Sequence, residues 1–343
     1  MMRLPHFRYL APRSLEEAAK LLASNPNETM LLAGDRRPPN MKRRQQTPKT
    51  LLALRRVPEL RAISNGTGLT LGSGLTLTEL VREPRVAKRY GALWQAAAQI
   101  ATPHLRNMGT IGGNLCLDTR CNYYDQNYEW RKAIDFCMKK DGDICWVATS
   151  SPKCLAVSST DTAPALMALG AKVRLVSERG TRDVWVSDLY QNDGIHYLTR
   201  RADEILSQVW LPPAEGWKSC YWKLRRRGSF DFPVLSVAAA LKIDKGGIVE
   251  QASVVLGAVA SRPLAAAKAN ADLVGKKLDD EAIARAADLA SEVARPMDNT
   301  DFLLGWRKKV ARDFVGFALR ELRGDDMRAI RQRYARQSLE AVS

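Results

Sequence analysis

The chain has 343 residues, of which 45% are hydrophobic and 26% charged, a composition typical of a folded protein with two or three domains and unlike that of a disordered chain. It contains no long apolar run and no apolar segment after Met1, so neither a membrane-spanning helix nor a signal peptide is expected, and a cytoplasmic location is predicted. The net charge of +16 would suit nucleic-acid binding, but the basic residues are dispersed and no nucleic-acid motif accompanies them, so we expect an acidic partner or an anionic cofactor and no nucleic acid.

The N-terminal part of the chain predicts short strands and helices in alternation. Ser14 is a suitable cap for a helix over residues 14–24, because Glu17 follows three residues later and the apolar residues of the segment share one face. The other elements predicted here are strands at 29–33, 51–54 and 69–72 and a helix at 76–100 that is capped by Thr76 or Thr78. This alternation indicates an α+β or α/β fold.

Residues 117–160 interrupt the pattern. The stretch is aromatic, charged and rich in cysteine, and it has no sustained period, which favours a large functional loop inserted into a domain. Regular structure is predicted again at 162–169, 173–176 and 184–186, and a proline-containing linker at 211–216. Beyond the linker the predicted elements are strands at 236–243 and 248–256, joined by a hairpin turn at 244–247, and helices at 279–294 and 300–322.

Two glycine-containing loops are candidate ligand-binding segments. The sharper one is Thr-Ile-Gly-Gly-Asn at 110–114, where adjacent glycines let the backbone approach a ligand and turn its amides towards an anion. Thr110 and Asn114 add side-chain donors, so this loop suits the pyrophosphate of a flavin dinucleotide, with a tight turn that binds nothing as the alternative. The second loop follows a predicted strand and consists of Leu31, Leu32, Ala33 and Gly34. The sequence lacks a Gly-x-Gly-x-x-Gly or Walker motif, so the common nucleotide-binding folds are not supported.

The order of three segments resembles that of a known family. The Ala33–Gly34 loop, the run 106–114 and the segment 161–166 are similar to those of the medium, FAD-binding subunits of the xanthine dehydrogenase family, which includes the carbon monoxide dehydrogenases. This resemblance, which extends over nearly the whole chain, implies an α+β fold with a two-lobed FAD-binding domain of the vanillyl-alcohol-oxidase (PCMH-like) type and a smaller C-terminal α+β domain like that of carbon monoxide dehydrogenase flavoproteins. The implied division is lobe 1 at 1–60, lobe 2 at 61–214 with the insertion at 117–160, the C-terminal domain at 217–330 and a basic tail at 331–343.

The resemblance also implies which residues contact FAD. The pyrophosphate would lie between the two glycine loops, and Asp161 and Lys223 would lie nearer the ribose and the flavin ring. His104 would be a flavin neighbour unless it only caps a helix or packs in a turn. No residue of this chain is expected to be catalytic. The remaining implied contacts are Leu31, Leu32, Ala33, Gly34, Asp35, Arg36, Thr76, Thr110, Ile111, Gly112, Gly113 and Asn114.

The first loop departs from the family pattern after Gly34. Relatives continue with Thr-Asp-Leu-Leu or a similar run, whereas this chain has Asp35, Arg36, Arg37 and Pro38. A carboxylate at residue 35 would face a pyrophosphate unfavourably, and proline removes a backbone donor. Arg36 or Arg37 could compensate by pairing with phosphate. We therefore expect FAD to bind more weakly than in relatives, by about 1–3 kcal/mol.

Five of the six cysteines fall within 39 residues, which in a cytosolic chain favours metal binding over disulfides. Four of them lie in the loop 117–160, with a spacing that matches neither zinc ribbons nor ferredoxins: Cys121, Cys137, Cys145 and Cys154. Four thiols in a polar loop without a core of its own need something to order them. A [4Fe–4S] cluster, a zinc ion and unliganded thiols are the alternatives that the residues leave open.

The same loop resembles the insertion of the beta subunits of 4-hydroxybenzoyl-CoA reductases, in the run 112–121 and at Trp130 and Arg131. In that family the insertion binds a [4Fe–4S] cluster, which implies that the four loop cysteines are its ligands. The implied protein is an oxidoreductase subunit, active only in a complex, that passes electrons through FAD and the cluster for the reductive dehydroxylation of 4-hydroxybenzoyl-CoA in anaerobic aromatic degradation. A molybdopterin-binding large subunit, a [2Fe–2S] small subunit and an electron donor such as a ferredoxin are the expected partners. An FAD subunit of another molybdenum hydroxylase and a basic binding module with a zinc-ordered loop are the alternatives.

Overall fold

The computed structural model describes residues 4–34, 38–228, 230–300 and 302–335. Three β-sheets organise them, with three, five and four strands. The strands are β1 (Arg8–Leu10), β2 (Thr29–Leu32), β3 (Thr50–Ala53), β4 (Ile63–Gly66), β5 (Gly68–Gly72), β6 (Lys172–Ser177), β7 (Gly180–Trp185), β8 (Ile205–Leu211), β9 (Trp217–Leu224), β10 (Leu235–Ile243), β11 (Val249–Gly257) and β12 (Leu264–Ala265). The helices are α1 (Leu15–Ser24), α2 (Pro38–Lys42), α3 (Leu77–Arg82), α4 (Pro84–Arg89), α5 (Gly91–Ala98), α6 (Pro103–Arg106), α7 (Ile111–Leu115), α8 (Tyr128–Ala133), α9 (Thr162–Ala168), α10 (Ala267–Leu273), α11 (Asp280–Ser291), α12 (Leu304–Arg323) and α13 (Arg328–Ala335).

The N-terminal sheet is parallel and has the strand order β1-β3-β2. Helix α1 begins as predicted, because the Ser14 hydroxyl accepts a hydrogen bond from the Glu17 amide. The helix buries Ala18 and Leu22 in a small core with Leu52 of β3. The predicted strands at 29–33 and 51–54 are confirmed within one residue at each end.

The second sheet is antiparallel, with the order β4-β5-β8-β6-β7. Its central strand β8 is not predicted from the sequence. Ser207 and Gln208 interrupt the apolar residues of β8, so neither an alternating pattern nor a continuous apolar run is visible. Pairing with β5 and β6 stabilises the strand through contacts that only the folded sheet supplies.

A single helix over 76–100 is wrong, because the structure has three helices there, α3, α4 and α5. Thr76 caps α3 as expected and forms a capping box with Glu79. Pro84 prevents continuation, since it holds Glu83 in an extended conformation with ψ 113° and has no amide to donate. Tyr90, with ψ 60°, separates α4 from α5.

The C-terminal sheet has the order β12-β11-β10-β9 and packs against α10, α11 and α12. The predicted hairpin is confirmed, and its turn includes Gly247 at φ 84°. Helix α12 begins at Leu304 rather than at residue 300, and it ends at Gly324, which has φ 115°. Helix α13, which is not predicted, contains the first residues of the segment expected as a basic tail. Its Arg331 bonds to Glu321 and to the carbonyl of Tyr221.

Residues 117–160 form the expected long loop, in which α8 is the one helix assigned to these described residues. Arg120 and Val157 close the base of the loop through two backbone hydrogen bonds of 2.8 and 2.7 Å. Across the described ranges, no helix combines the length and the apolar character needed to span a membrane.

Candidate functional site

A cleft of about 210 Å³ opens where the N-terminal sheet meets the second sheet. Its lining includes Ala33, which follows β2, together with Leu54, Arg55 and Arg61. The other lining residues are Gly74, Thr76, Thr78, Glu79, Asn107, Met108 and Thr110. The cleft therefore brings together Ala33, Thr76 and Thr110, three predicted FAD contacts from distant parts of the sequence.

The two glycine loops lie against each other at Gly34. A Cβ atom on Gly34 would lie 2.6 Å from the carbonyl oxygen of Met108 and 3.0 Å from the Cα of Gly109. No side chain fits in that space, so glycine is what allows the end of β2 to lie against the turn before α7. Leu31 and Leu32 lie behind this contact in β2 and are half-buried, whereas Asp35 and Arg36 fall outside the described residues.

The glycines at 112 and 113 serve close packing inside the protein. A Cβ atom on Gly112 would lie 2.7 Å from the Cβ of Ser73. The amides of Ile111 and Gly112 donate to the carbonyls of Leu75 and Ser73 at 3.0 and 2.9 Å, and the Gly113 amide donates to the Thr110 hydroxyl at 3.0 Å. These three amides are therefore used by the protein itself, in contrast to the expectation that they turn towards an anion. The glycines still act on the cleft, because they fix Thr110 in its wall.

A charged pair lies in the cleft beside Thr76. The Glu79 carboxylate accepts hydrogen bonds from the Thr76 amide and hydroxyl, both at 2.8 Å, and it pairs with Arg61. Burial raises the pKa of Glu79, but these bonds and the charge of Arg61 lower it by more, so the pKa lies below its usual value of 4.5. The carboxylate is thus ionised at neutral pH, and Arg61 offsets its repulsion of a phosphate.

Asn114, Asp161 and Lys223 lie outside the residues that line the described cleft. The Asn114 amide oxygen accepts from the Thr160 hydroxyl at 2.8 Å and from the Thr162 amide and hydroxyl at 3.1 and 2.6 Å. It thereby joins α7 to the start of α9. Asp161, just before α9, forms an ion pair of 2.9 Å with Lys223 of β9 in the C-terminal sheet.

The polar and cationic groups that line the cleft are suited to bind an anionic dinucleotide. Arg55 is an exposed lining residue, and Thr78, Asn107 and Thr110 supply hydroxyl and amide groups to the cleft. Sequence motifs gave no indication of Arg55, Arg61 or Glu79, because basic and acidic residues are frequent throughout the chain. His104 is exposed on α6 and lies outside the set of described residues that line the cleft.

The four loop cysteines meet at a second cavity. Each is 4–6% exposed, and together they line it with residues of the same loop: Cys121, Cys137, Cys145 and Cys154, with Tyr123, Tyr124, Met138, Lys139, Trp146, Val147 and Ala156. All six cysteines of the chain are free of disulfides. Burial raises the pKa of Cys121 to about 12 and that of Cys154 to about 11, so without a cation these groups remain thiols at neutral pH.

Gly194, which sequence reasoning missed, lies against this cavity. Its Cβ position would be 2.6 Å from the sulfur of Cys154, and its amide donates to the Cys154 carbonyl at 2.8 Å. No motif surrounds Gly194, and its φ is not in the left-handed region, so the sequence offers no signal for it. Cys116 and Cys220 are absent from the cavity lining that the described residues form, and the Cys220 thiol donates to the Ala318 carbonyl at 3.4 Å.

Hydrogen bonds join the cysteine loop to the N-terminal part of the chain and to the C-terminal domain. Gln45, which follows α2, donates to the Tyr124 carbonyl at 2.5 Å. From the C-terminal domain, Asn299 donates to the Leu155 carbonyl at 2.6 Å and accepts from the Asn122 amide at 2.9 Å. The loop therefore packs on the body of the molecule even though it has little regular structure.

Fold and cleft together define a two-domain flavoprotein. The model of the FAD-binding domain in molybdopterin dehydrogenase matches residues 5–214, and that of the C-terminal domain of carbon monoxide dehydrogenase flavoproteins matches residues 219–322. The chain belongs to the family of FAD-binding medium subunits of xanthine and carbon monoxide dehydrogenase type. The expected α+β fold, with an FAD-binding domain followed by a C-terminal flavoprotein domain, is confirmed.

Individual relatives cover most of the chain. The medium chain of a glyceraldehyde dehydrogenase from Sulfolobus acidocaldarius is 25% identical over 93% of this chain and 99% of its own length. The FAD-binding subunit of an aldehyde oxidoreductase from Escherichia coli is 31% identical over 78% of this chain and 86% of its own length. Among solved structures, carbon monoxide dehydrogenase from Hydrogenophaga pseudoflava superposes with a TM-score of 0.77 at 26% identity, over 94% of this chain and 98% of that chain.

Proposed function

We propose that this chain is the FAD- and [4Fe–4S]-containing electron-transfer subunit of a molybdenum-dependent 4-hydroxybenzoyl-CoA reductase. The observation that carries the proposal is the cavity at which the four loop thiols meet. Membership of the family accounts for the flavin, whereas the cluster is supported by the cysteines and the substrate by the resemblance of the loop. FAD supplies a group that exchanges electrons either singly or in pairs.

The resemblance of the loop supports a cluster over a single zinc ion. Zinc would need four sulfurs about 2.3 Å from one centre, which places them roughly 3.8 Å from each other. A cubane takes each thiolate on a different iron and so accepts a wider set of sulfurs. Four buried thiols around one cavity supply the number of thiolates that a cubane takes.

The residues of the cleft would hold the flavin dinucleotide. Ala33, Thr76 and Thr110 would lie along its pyrophosphate, and Arg55 would pair with a phosphate oxygen. Asp35 and Arg36 remain proposed contacts on the sequence alone. The buried pair of Asp161 and Lys223 would act from behind the site, nearer the ribose and the ring.

The proposed complex replaces the phenolic hydroxyl of 4-hydroxybenzoyl-CoA by hydrogen. Two electrons and two protons enter, and benzoyl-CoA and water leave. The relatives are named as medium chains and FAD-binding subunits, which supports a role as one subunit among several. We propose a molybdopterin-binding large subunit, a [2Fe–2S] small subunit and a low-potential donor such as a ferredoxin, all in the cytoplasm.

The test is metal and flavin analysis of this chain purified on its own, followed by turnover of the complete complex. We expect about one FAD and about four irons on this chain, as one four-cysteine cubane requires. One zinc without iron would overturn the cluster. The isolated chain should reduce no acyl-CoA, and turnover of 4-hydroxybenzoyl-CoA without partners would overturn the division of roles.

A second candidate is the FAD subunit of an aldehyde-oxidising molybdenum enzyme. It is favoured by the 31% identity with the Escherichia coli aldehyde oxidoreductase subunit. The complex should be assayed with both substrates to separate the two candidates. Oxidation of aldehydes without reduction of 4-hydroxybenzoyl-CoA would select the second.

A further inference from the structure

Lys139 carries a buried positive charge beside the cysteine cavity. Its side chain is 6% exposed, and its ammonium group donates to Asp118 Oδ1 at 2.8 Å, to the Thr119 hydroxyl at 2.7 Å and to the Gly194 carbonyl at 2.6 Å. A lysine has three donors, so all of them are used. Burying a charge costs free energy unless it is paired and fully hydrogen-bonded, and here both conditions are met.

The ion pair is oriented with respect to the cavity. Lys139 lines the cavity together with the four cysteines, whereas Asp118 is outside the set of described residues that line it. The rings of Tyr124 and Tyr197 flank the ammonium group at 4.9 and 5.6 Å from their centroids. The cationic partner of the pair is therefore the one that lines the cavity, and its side chain is buried at a position with little water to screen the charge.

We propose that Lys139 is a positioning residue that raises the redox potential of the cluster in this cavity, an inference that rests on the proposed function. A thiolate-bound cluster becomes more negative by one charge when it accepts an electron. A fixed cation nearby stabilises the reduced form more than the oxidised form, because net charge and hydrogen bonding around the cluster set its potential. Asp118 moderates this effect because it pairs with the lysine.

Lys139 also has a structural effect, which the test must separate from the electrostatic one. Its ammonium group ties Asp118 and Thr119, near the start of the cysteine loop, to Gly194 after β7. A purely structural link would lose cluster when either partner is changed, or would leave the potential as it is. An electrostatic role predicts potential shifts of opposite sign for the two partners of the ion pair.

The experiment is a reductive titration of the complete complex with dithionite, followed by electron paramagnetic resonance of the reduced cluster. In Lys139→Gln we expect the ratio of reduced to oxidised cluster at a fixed potential to fall about tenfold, which is 59 mV for a one-electron couple. In Asp118→Asn the ratio should rise, because the lysine is then uncompensated. Lys132→Gln, on the exposed side of the same loop, is the matched control and should leave the ratio unchanged.

Iron content distinguishes failure of this inference from failure of the proposed function. About four irons per chain in both variants with unshifted ratios would overturn the role of Lys139 alone. Zinc, or no metal, in the unaltered chain purified on its own would overturn the cluster and this inference together. If Lys139→Gln loses iron, Asp118→Asn is the variant that tests the inference, because it keeps the lysine. A higher ratio of reduced to oxidised cluster in Asp118→Asn supports the inference, and an unchanged ratio overturns it.

Discussion

Lys223 and Asp161 form a buried ion pair between the two domains, with 2.9 Å between Nζ and Oδ1 and neither side chain more than 4% exposed. Lys223 lies in β9 of the C-terminal sheet, and Asp161 directly precedes α9. Tyr221 of the same strand donates to Asp161 at 2.7 Å, and Lys223 also donates to the Gln99 carbonyl at 3.1 Å. Burial raises the pKa of Asp161 and lowers that of Lys223, and each charge opposes the shift of the other.

Removing one partner of this pair should be costly. Lys223→Met would leave the buried Asp161 carboxylate without its lysine partner, which costs about 3–5 kcal/mol. The double variant Lys223→Met with Asp161→Leu removes both charges and should regain much of that loss. Urea unfolding of the three proteins gives the free energies. If the free energy of unfolding of the single variant lies within about 1 kcal/mol of that of the unaltered protein, the pair contributes little to stability, since one ordinary hydrogen bond is worth as much.

Cys137→Ser should remove iron from the chain and leave the FAD-binding domain folded, because the cysteine loop is an insertion with few elements of its own. Cys220→Ser is the matched control, since that thiol is 1% exposed in the C-terminal core, away from the cavity. Iron analysis and the flavin spectrum are the measurements. Equal iron in the two variants would show that the cavity is not where the metal binds.

Gly194→Ala tests the shape of the cavity without touching a thiol. The added methyl group would lie 2.6 Å from the Cys154 sulfur, so the sulfur or the backbone must move and cluster loading should fall. Gly305→Ala is the control, because a Cβ atom there meets nothing within 4 Å. Iron per chain, measured side by side, checks the prediction. Full loading of Gly194→Ala would mean that the loop adapts to the methyl group.

The local features of the fold could be predicted from the sequence, because their causes are local. The caps at Ser14 and Thr76 and the turn at 244–247 each depend on residues within a few positions of one another. Strand β8 could not be predicted, since its stability comes from pairing with strands distant in sequence. The break at Pro84 was visible in the sequence but was outweighed by the apolar period of 76–100.

The residues of the candidate site also include some that could be predicted from the sequence and some that could not. The glycine loops and the cysteines are visible in the composition, and the family resemblance indicated their roles. The approach of Gly34 to Met108 depends on how two sheets pack, which no short pattern records. Arg55 and Lys139 gave no signal either, since one lysine or arginine among 53 is not distinctive until the fold places it in a cleft or beside a cavity.

The Glu79 carboxylate should make a small pH-dependent contribution to stability. Its folded-state pKa lies below 4.5, so the contribution is present above that pH and is lost as the pH falls through the folded-state pKa. Glu79→Gln should therefore be less stable near neutral pH by about 0.2–1 kcal/mol, as for exposed ion pairs, and the difference should shrink as the pH falls through the lowered pKa of Glu79. Unfolding free energies from pH 3 to 7 test this. Glu129→Gln, an exposed residue of α8, serves as the control, and a constant difference across that range would contradict the prediction.

The segment after Gly34 carries the last prediction, which rests on its sequence. Asp35, Arg36, Arg37 and Pro38 replace a Thr-Asp-Leu-Leu type of run, and a carboxylate next to the pyrophosphate should weaken FAD binding. The fourfold variant Asp35→Thr, Arg36→Asp, Arg37→Leu and Pro38→Leu restores the family pattern and should retain FAD better through gel filtration, with a gain of about 1–3 kcal/mol in binding. Arg56→Leu, which changes one arginine outside the residues lining the described cleft, is the control and should leave retention unaltered. Unchanged or weaker retention by the fourfold variant would mean that Arg36 or Arg37 has taken over a phosphate contact. Guanidinium groups bind phosphate in a bidentate manner, so their removal would cost as much binding free energy as the restored threonine provides.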